Sequence, residues 1–518
     1  MLFFSLILAA SLAGCQSSEG ESDNPAESES TEAAETTEAA EDSAEESSES
    51  TTFDTASTED VVKGLDDESV KVIDARLNDI FNGWSDADGN RGGHIDGALD
   101  FSSAWIDGIY DEESSLEEKS LDEVLAETIE TKGLETSDDL IIYDTNGEDA
   151  QVVAEFLSDQ GFENIRLYDA AEWITDESKE LVSFSNYELV VSPQVVDQLI
   201  NGETPEGFDE NKDMVIVNVA WGAEDESGYL DGHIPTAVHV NTDRFEPPME
   251  HVEGIEEWRL ADPDTLVELL LEKGITKDTL VIATGPEPMA SSRFAYLSRY
   301  LGVEDVRVLN GGLVNWQNQG YELETKANET AAAEDFGGDY PANPEMLQNI
   351  EDVKDNLVNN DDYQLLDVPA WEEYIGETPG YSYHDVVGRI EVAIFGRAGL
   401  KNSSSMYFYR NPDKTLRNLD EIANMWEENG VDLDLPITFM CGSGWRVAES
   451  YWYSLAMGRT DDNMFSDGWI AWSNEGNPFA TGVPEGMNED GTYSDGESAE
   501  DSETDTSDEE TAEEESAA

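Results

Sequence analysis

A set of short motifs recurs three times along the 518-residue chain, and this repetition limits the possible folds more than any other feature. The first copy carries Lys71-Val72-Ile73-Asp74-Ala75-Arg76, then Gly93-His94-Ile95-Asp96-Gly97-Ala98, then Leu140-Ile141-Ile142-Tyr143-Asp144, and closes on Ile165-Arg166-Leu167-Tyr168-Asp169-Ala170-Ala171-Glu172-Trp173. The second has Val215-Ile216-Val217-Asn218-Val219, Gly232-His233-Ile234-Pro235-Thr236-Ala237, Leu280-Val281-Ile282-Ala283-Thr284 and a closing stretch at 306–316. The third has Leu365-Leu366-Asp367-Val368, Gly388-Arg389-Ile390-Glu391-Val392-Ala393, Ile437-Thr438-Phe439-Met440-Cys441 and a closing stretch at 463–472. Short apolar runs alternating with helical stretches predict, in each copy, a parallel sheet covered by helices, the α/β class. The three units read as 59–182, 183–325 and 341–486, with the Ala- and Glu-rich stretch 326–340 as a linker before the third.

The segments outside the repeats have a different composition. Residues 16–58 and 487–518 each hold 14 acids and no Lys or Arg, and few large apolar side chains. Such stretches cannot bury a core, so they read as a disordered acidic tether and a free acidic tail. The repeats themselves are acidic too. The whole chain carries 119 Asp and Glu against 26 Lys and Arg, a formal charge of −93. Nucleic acid, which is held largely by cations on phosphate, is excluded as a partner.

Only two cysteines are present. Residues 2–10 form an apolar run too short to span a bilayer, followed by Leu12-Ala13-Gly14-Cys15, which resembles a bacterial lipobox. Residues 1–15 therefore read as a lipoprotein signal. Lipidation of Cys15 would place the protein outside the cell membrane or in the periplasm, held to the membrane by that anchor alone. Cys441 is then left without a disulfide partner.

Cys441 opens the loop Cys441-Gly442-Ser443-Gly444-Trp445-Arg446 between an apolar strand and a helical run. Unpaired N–H groups and the positive end of a helix favour negative charge on such a sulfur, which makes it a candidate nucleophile. Gly442 and Gly444 let the backbone curl around it. Ser443 offers a hydroxyl, Trp445 a wall against water, and Arg446 a forked donor for an anionic substrate. Arg389 and Arg397, two of few bases in an acidic body, are further candidates. The histidines, His94, His233, His239, His251 and His384, show no metal-ligand spacing. No cofactor is expected.

In order and three times over, these marks resemble the rhodanese family of sulfurtransferases, and in particular its exported three-domain thiosulfate sulfurtransferases. The resemblance implies three tandem domains, each a central mainly parallel sheet flanked by helices, with one active site in the last. It aligns Asp144 and Thr284 with Cys441, so the first two domains should be catalytically silent. It also implies sulfur transfer from thiosulfate or a related sulfane-sulfur donor, through a Cys441 persulfide, to an acceptor thiol or cyanide. Two departures bear on the donor. Glu373 stands where thiosulfate-using members often have an arginine, and Asp367-Val368-Pro369 replaces an Asp-x-Arg turn. Either change could shift the donor towards mercaptopyruvate or a persulfide carrier, and the alternative to a sulfurtransferase is a binding module that carries the persulfide without turnover. The loop is one residue shorter than that of related phosphatases, which disfavours phosphate or arsenate chemistry.

Overall fold

The computed structural model describes residues 51–110, 119–489 and 491–492. The lipidation of Cys15, the signal at 1–15 and most of the two acidic segments lie outside the described residues. Among the described residues, no helix is long and apolar enough to cross a membrane.

Each copy of the motif set folds into a five-stranded sheet, and the strand order is the same in all three. Across the first sheet the strands are Asp54–Thr55, Asn164–Asp169, Asp139–Asp144, Val70–Asp74 and Leu99–Asp100, all parallel. The second runs Val190–Val191, Asp305–Leu309, Leu280–Thr284, Met214–Ala220 and Val238–Asn241. The third runs Leu347–Gln348, Asn463–Phe465, Ile437–Met440, Gln364–Asp367 and Ile394–Phe395. The middle strand of each is flanked on both sides and is largely apolar and buried along its centre, as a sheet covered on both faces requires. Its C-terminal end lies at the sheet edge where ligands of open α/β folds gather.

A helix follows each middle strand: α1 (Asp149–Asp159), α2 (Pro288–Leu301) and α3 (Trp445–Ala456). The last two pack on one another. Trp452 on α3 donates its indole N–H to the Ser292 carbonyl at 3.0 Å, and Tyr451 meets Tyr296 edge-on. One apolar cluster accordingly runs from Val217, Val281 and Phe294 through to Phe439, Cys441 and Trp452. The second and third domains share a core.

The folded body extends slightly beyond the repeats at both ends. Asp54 and Thr55 pair with Arg166 and Leu167 as an edge strand, so they belong to the first sheet and not to the tether. Ser57 then caps the helix Thr58–Gly64 in a reciprocal box with Asp60. An edge strand needs only backbone pairing, which composition does not reveal. The stretch 326–340 docks on the second domain, with Ala333 N–H on the Leu271 carbonyl and Phe336 buried. Met487 packs near Tyr374, Ile375 and Phe395 of the third domain.

Candidate active site

Cys441 follows the middle strand of the third sheet directly and is buried, 1 % exposed. Its Sγ accepts the Gly444 N–H at 3.3 Å. The loop carbonyls are turned away from the sulfur: that of Cys441 accepts Trp469 N–H at 2.8 Å, and that of Gly442 accepts Ile470 N–H at 3.0 Å. This pairing explains why an Asp-Gly-x-x-x-Trp stretch closes the motif set. It takes up the carbonyls of Cys441 and Gly442, while the Gly444 N–H faces the sulfur.

Two glycines are required by contact. A Cβ at Gly442 would collide with the Tyr381 phenol. Gly444 has φ +94°, and a Cβ there would lie 2.8 Å from an Arg293 guanidinium nitrogen. Arg293 comes from α2 of the second domain. It is fully buried, pairs with Glu246 at 2.6 Å and donates to the Ser466 hydroxyl at 2.6 Å. Trp445 packs against Trp221 and Phe245, with centroids 5.1 and 5.8 Å away. The second domain therefore braces the Cys441 loop of the third. Neither brace is visible in sequence, since both partners are far away along the chain.

Arg446 starts α3 buried and faces Glu373, with Nη1 at 2.7 Å and Nη2 at 3.4 Å from the two carboxylate oxygens. The fork expected to hold an anionic donor is therefore already occupied. Glu373 also accepts the Ala370 N–H at 2.7 Å, which fixes it in place. The Nη2 of Arg446 also reaches the Tyr381 hydroxyl at 3.4 Å, and its buried Nε has no hydrogen-bond partner among the described residues. The substitution that stood out as a family departure is thus the counter-ion of the loop's own arginine.

Arg389 is placed differently from the expectation. It donates to the Tyr374 and Gly482 carbonyls at 3.2 and 2.8 Å, and its guanidinium lies over the Tyr374 ring. In the first two repeats His94 stacks on Phe81 and bonds its carbonyl, and His233 does the same with Tyr229. Arg389 fills their place in the third and holds a turn. Arg397 lies over Phe408, in the wall of a separate cavity.

Asp367 also lines the space beside the loop, where local sequence gives it no substrate or catalytic role. In the first domain its counterpart Asp74 is paired with Arg76 at 2.6 Å. Pro369 replaces that arginine, and buried Asp367 makes no salt bridge among the described residues. Burial pushes its pKa up to about 7, against the pull of Arg446 and with Glu373 adding to the rise. The Asp-x-Pro departure was the available signal. Asp367, Glu373, Tyr381, Gly442, Arg446 and Trp469 surround a space of about 20 Å³ beside the loop. Burial holds the Tyr381 phenol protonated well above its ordinary range. Tyr383, beside Ser443, is pushed up to about 12, again chiefly by burial.

A family profile described as Rhodanese-like domain matches residues 57–171, 206–319 and 349–475. The chain is 32 % identical over 424 residues to the thiosulfate sulfurtransferase YnjE of Escherichia coli (strain K12), covering 81 % of this chain and 90 % of that one. Among solved structures it resembles the anaerobic ergothioneine biosynthesis enzyme of Chlorobium limicola in complex with trimethyl histidine. There the TM-score is 0.74 and the identity 30 %, over 84 % of this chain and all of the other. A cysteine-persulfide form of EanB with ergothioneine aligns with TM-score 0.74 and 30 % identity, over 83 % of this chain and all of that one.

Proposed function

The chain belongs to the rhodanese-like family and is a sulfurtransferase, and on that premise we propose that Cys441 carries the sulfur as a persulfide, with thiosulfate as donor. The Cys441 thiolate attacks the outer sulfur of thiosulfate, the S–S bond breaks, and sulfite leaves with the bonding electron pair. An acceptor thiolate or cyanide then takes the terminal sulfur and returns Cys441 as thiolate, a ping-pong sequence. The observation that carries this reading is the Gly444 N–H aimed at Sγ, with the Cys441 and Gly442 carbonyls bonded elsewhere. Such donors stabilise an anionic sulfur before and after each transfer. Export through a signal at 1–15 and anchoring through Cys15 remain part of the proposal.

The space beside the loop is about the size of one water, so its walls must open for a donor to enter. The test is mass spectrometry of the protein after incubation with thiosulfate. A gain of about 32 Da on Cys441, discharged by cyanide, is the expected result. No gain with any sulfane donor would refute the persulfide.

One observation favours a second reading of the acceptor. Trp258 meets Tyr383 edge-on at 5.0 Å, and Tyr383 and Tyr381 stand beside the loop. An aromatic wall of this kind suits a quaternary ammonium group, such as that of the trimethyl histidine bound by the structural neighbour. Transfer of sulfur from charged Cys441 to trimethyl histidine, read as a product mass, tests it.

A further inference from the structure

Away from Cys441, the three domains meet around a cavity of about 410 Å³. Its apolar wall is drawn from each of them: Val124 from the first, Val314 from the second, and Met406 and Phe408 from the third. A space of that volume suits a small organic ligand. Its charge runs against that of the chain. Five of the 26 Lys and Arg line it, against three carboxylates, in a chain with 119 acids.

Three of the five cations are committed to acids. Lys132 pairs with Asp100 and Glu421, Arg410 with Glu287 and Glu449, and Arg417 with Glu421. The other two are not held in this way. Arg397 lies 4.8 Å over the Phe408 ring and makes no salt bridge among the described residues. Lys414 has only Glu287, at 3.9 Å. These two share a second property. Among the described residues just three non-glycine residues have positive φ, and Arg397 (50°) and Lys414 (62°) are two of them. Side-chain-bearing residues rarely adopt that conformation, and it persists where the surroundings impose it, often at ligand sites. Here it sets two weakly paired cations in the wall of one largely apolar space.

We propose that this cavity binds a small organic anion with an apolar body, a carboxylate or sulfonate on an aromatic or branched hydrocarbon. Arg397 and Lys414 receive the anionic head, and Val124, Val314, Met406 and Phe408 receive the body. The site is separate from Cys441 and independent of the sulfur chemistry. Because its wall comes from all three domains, occupancy favours their assembled arrangement.

The test is titration calorimetry of the full chain with phenylacetate, benzenesulfonate and, as a head without a body, acetate, each to about 20 mM. At least one aromatic anion should bind one to one with a Kd of about 1 mM or tighter, and acetate about tenfold more weakly. Binding should be unchanged in Cys441→Ser and weakened about tenfold or more in both Arg397→Ala and Lys414→Ala, whose folds are checked by circular dichroism. No binding of either aromatic anion overturns the proposal. So does binding that both folded cation variants leave intact, or binding lost in Cys441→Ser.

Discussion

At the end of the middle strand, the first and third domains build the same turn around different chemistry. In the third, Gly444 N–H points back at Cys441 Sγ, three residues earlier, at 3.3 Å. In the first, Gly147 N–H points back at Asp144 Oδ1, also three residues earlier, at 3.0 Å, and Ala150 N–H reaches Oδ2 at 2.8 Å. The first domain thus fills its anion cradle with its own carboxylate. The second differs on either side of that position: in Thr284-Gly285-Pro286-Glu287-Pro288 the two prolines, which carry no N–H, flank Glu287 at the place of Gly444, and the Glu287 side chain caps α2 through Met289 N–H. On the proposed mechanism, a nucleophile placed in another copy is not enough for sulfur transfer. The donors around the sulfur must also be free and aimed.

The sharpest way to break this comparison is to move the sulfur. Cys441→Ser should abolish turnover, by about 10⁴-fold or more. Adding Thr284→Cys in that background should not restore sulfur charging, because Pro286 and Pro288 remain. Persulfide formation at position 284, seen by mass spectrometry, would show that the cradle is dispensable.

The next largest effect is expected at Gly444. Gly444→Ala forces a Cβ onto the Arg293 guanidinium at a backbone angle that suits glycine. Sulfur transfer should fall by about 10²-fold as the N–H turns off the sulfur, with a stability loss of about 1–3 kcal/mol in urea unfolding. Gly147→Ala, at φ +79° but in open space, should cost stability alone.

Glu373→Gln should free the Arg446 fork. Removing one partner of a buried pair destabilises, by about 3 kcal/mol. Yet the KM for thiosulfate should fall about threefold or more, since an uncommitted guanidinium can meet the sulfonate end. Steady-state kinetics beside unfolding curves would separate the two effects, and an unchanged KM would show that Arg446 never meets the donor.

The smallest effect concerns pH. Asp367 has its folded pKa raised to about 7, above the ordinary carboxylate value. The folded state therefore binds this proton more tightly than the unfolded one. The group's contribution is most favourable below the unfolded pKa and is lost as pH rises to about 7. Asp367→Asn should leave stability near pH 4 unchanged and raise it by on the order of 2 kcal/mol at pH 8. It should also flatten any fall in thiosulfate kcat/KM above neutrality, when wild-type Asp367 adds a second negative charge beside Glu373.

Much of the fold was legible along the chain. Apolar runs such as Leu140-Ile141-Ile142 and Leu280-Val281-Ile282 became the middle strands, and the recurring order of motifs became one sheet topology used three times. Cys441 could be singled out because its neighbours in sequence, Gly442 to Arg446, are also its neighbours in space. The arginines were harder to place. Arg389 reads as a site residue until the repeats are superposed and it falls where His94 and His233 hold their turns. Arg397 lies on a segment that passes Arg446 at Gly399, but its side chain lines the three-domain cavity instead. The strand at Asp54–Thr55 was hidden because pairing to the sheet backbone leaves no compositional mark.

Local pattern alone thus determined the repeats and the α/β class, and it set Cys441 apart from Asp144 and Thr284 at the matching positions, because strand periodicity, loop glycines and residue identity are properties of short segments. The tertiary structure decided which cations face the sulfur and which do not. Glu373 reaches Arg446 from 73 residues away, and Arg293 reaches Gly444 from another domain. A charged side chain's partner depends on which groups are buried together, and close packing of separate elements sets that.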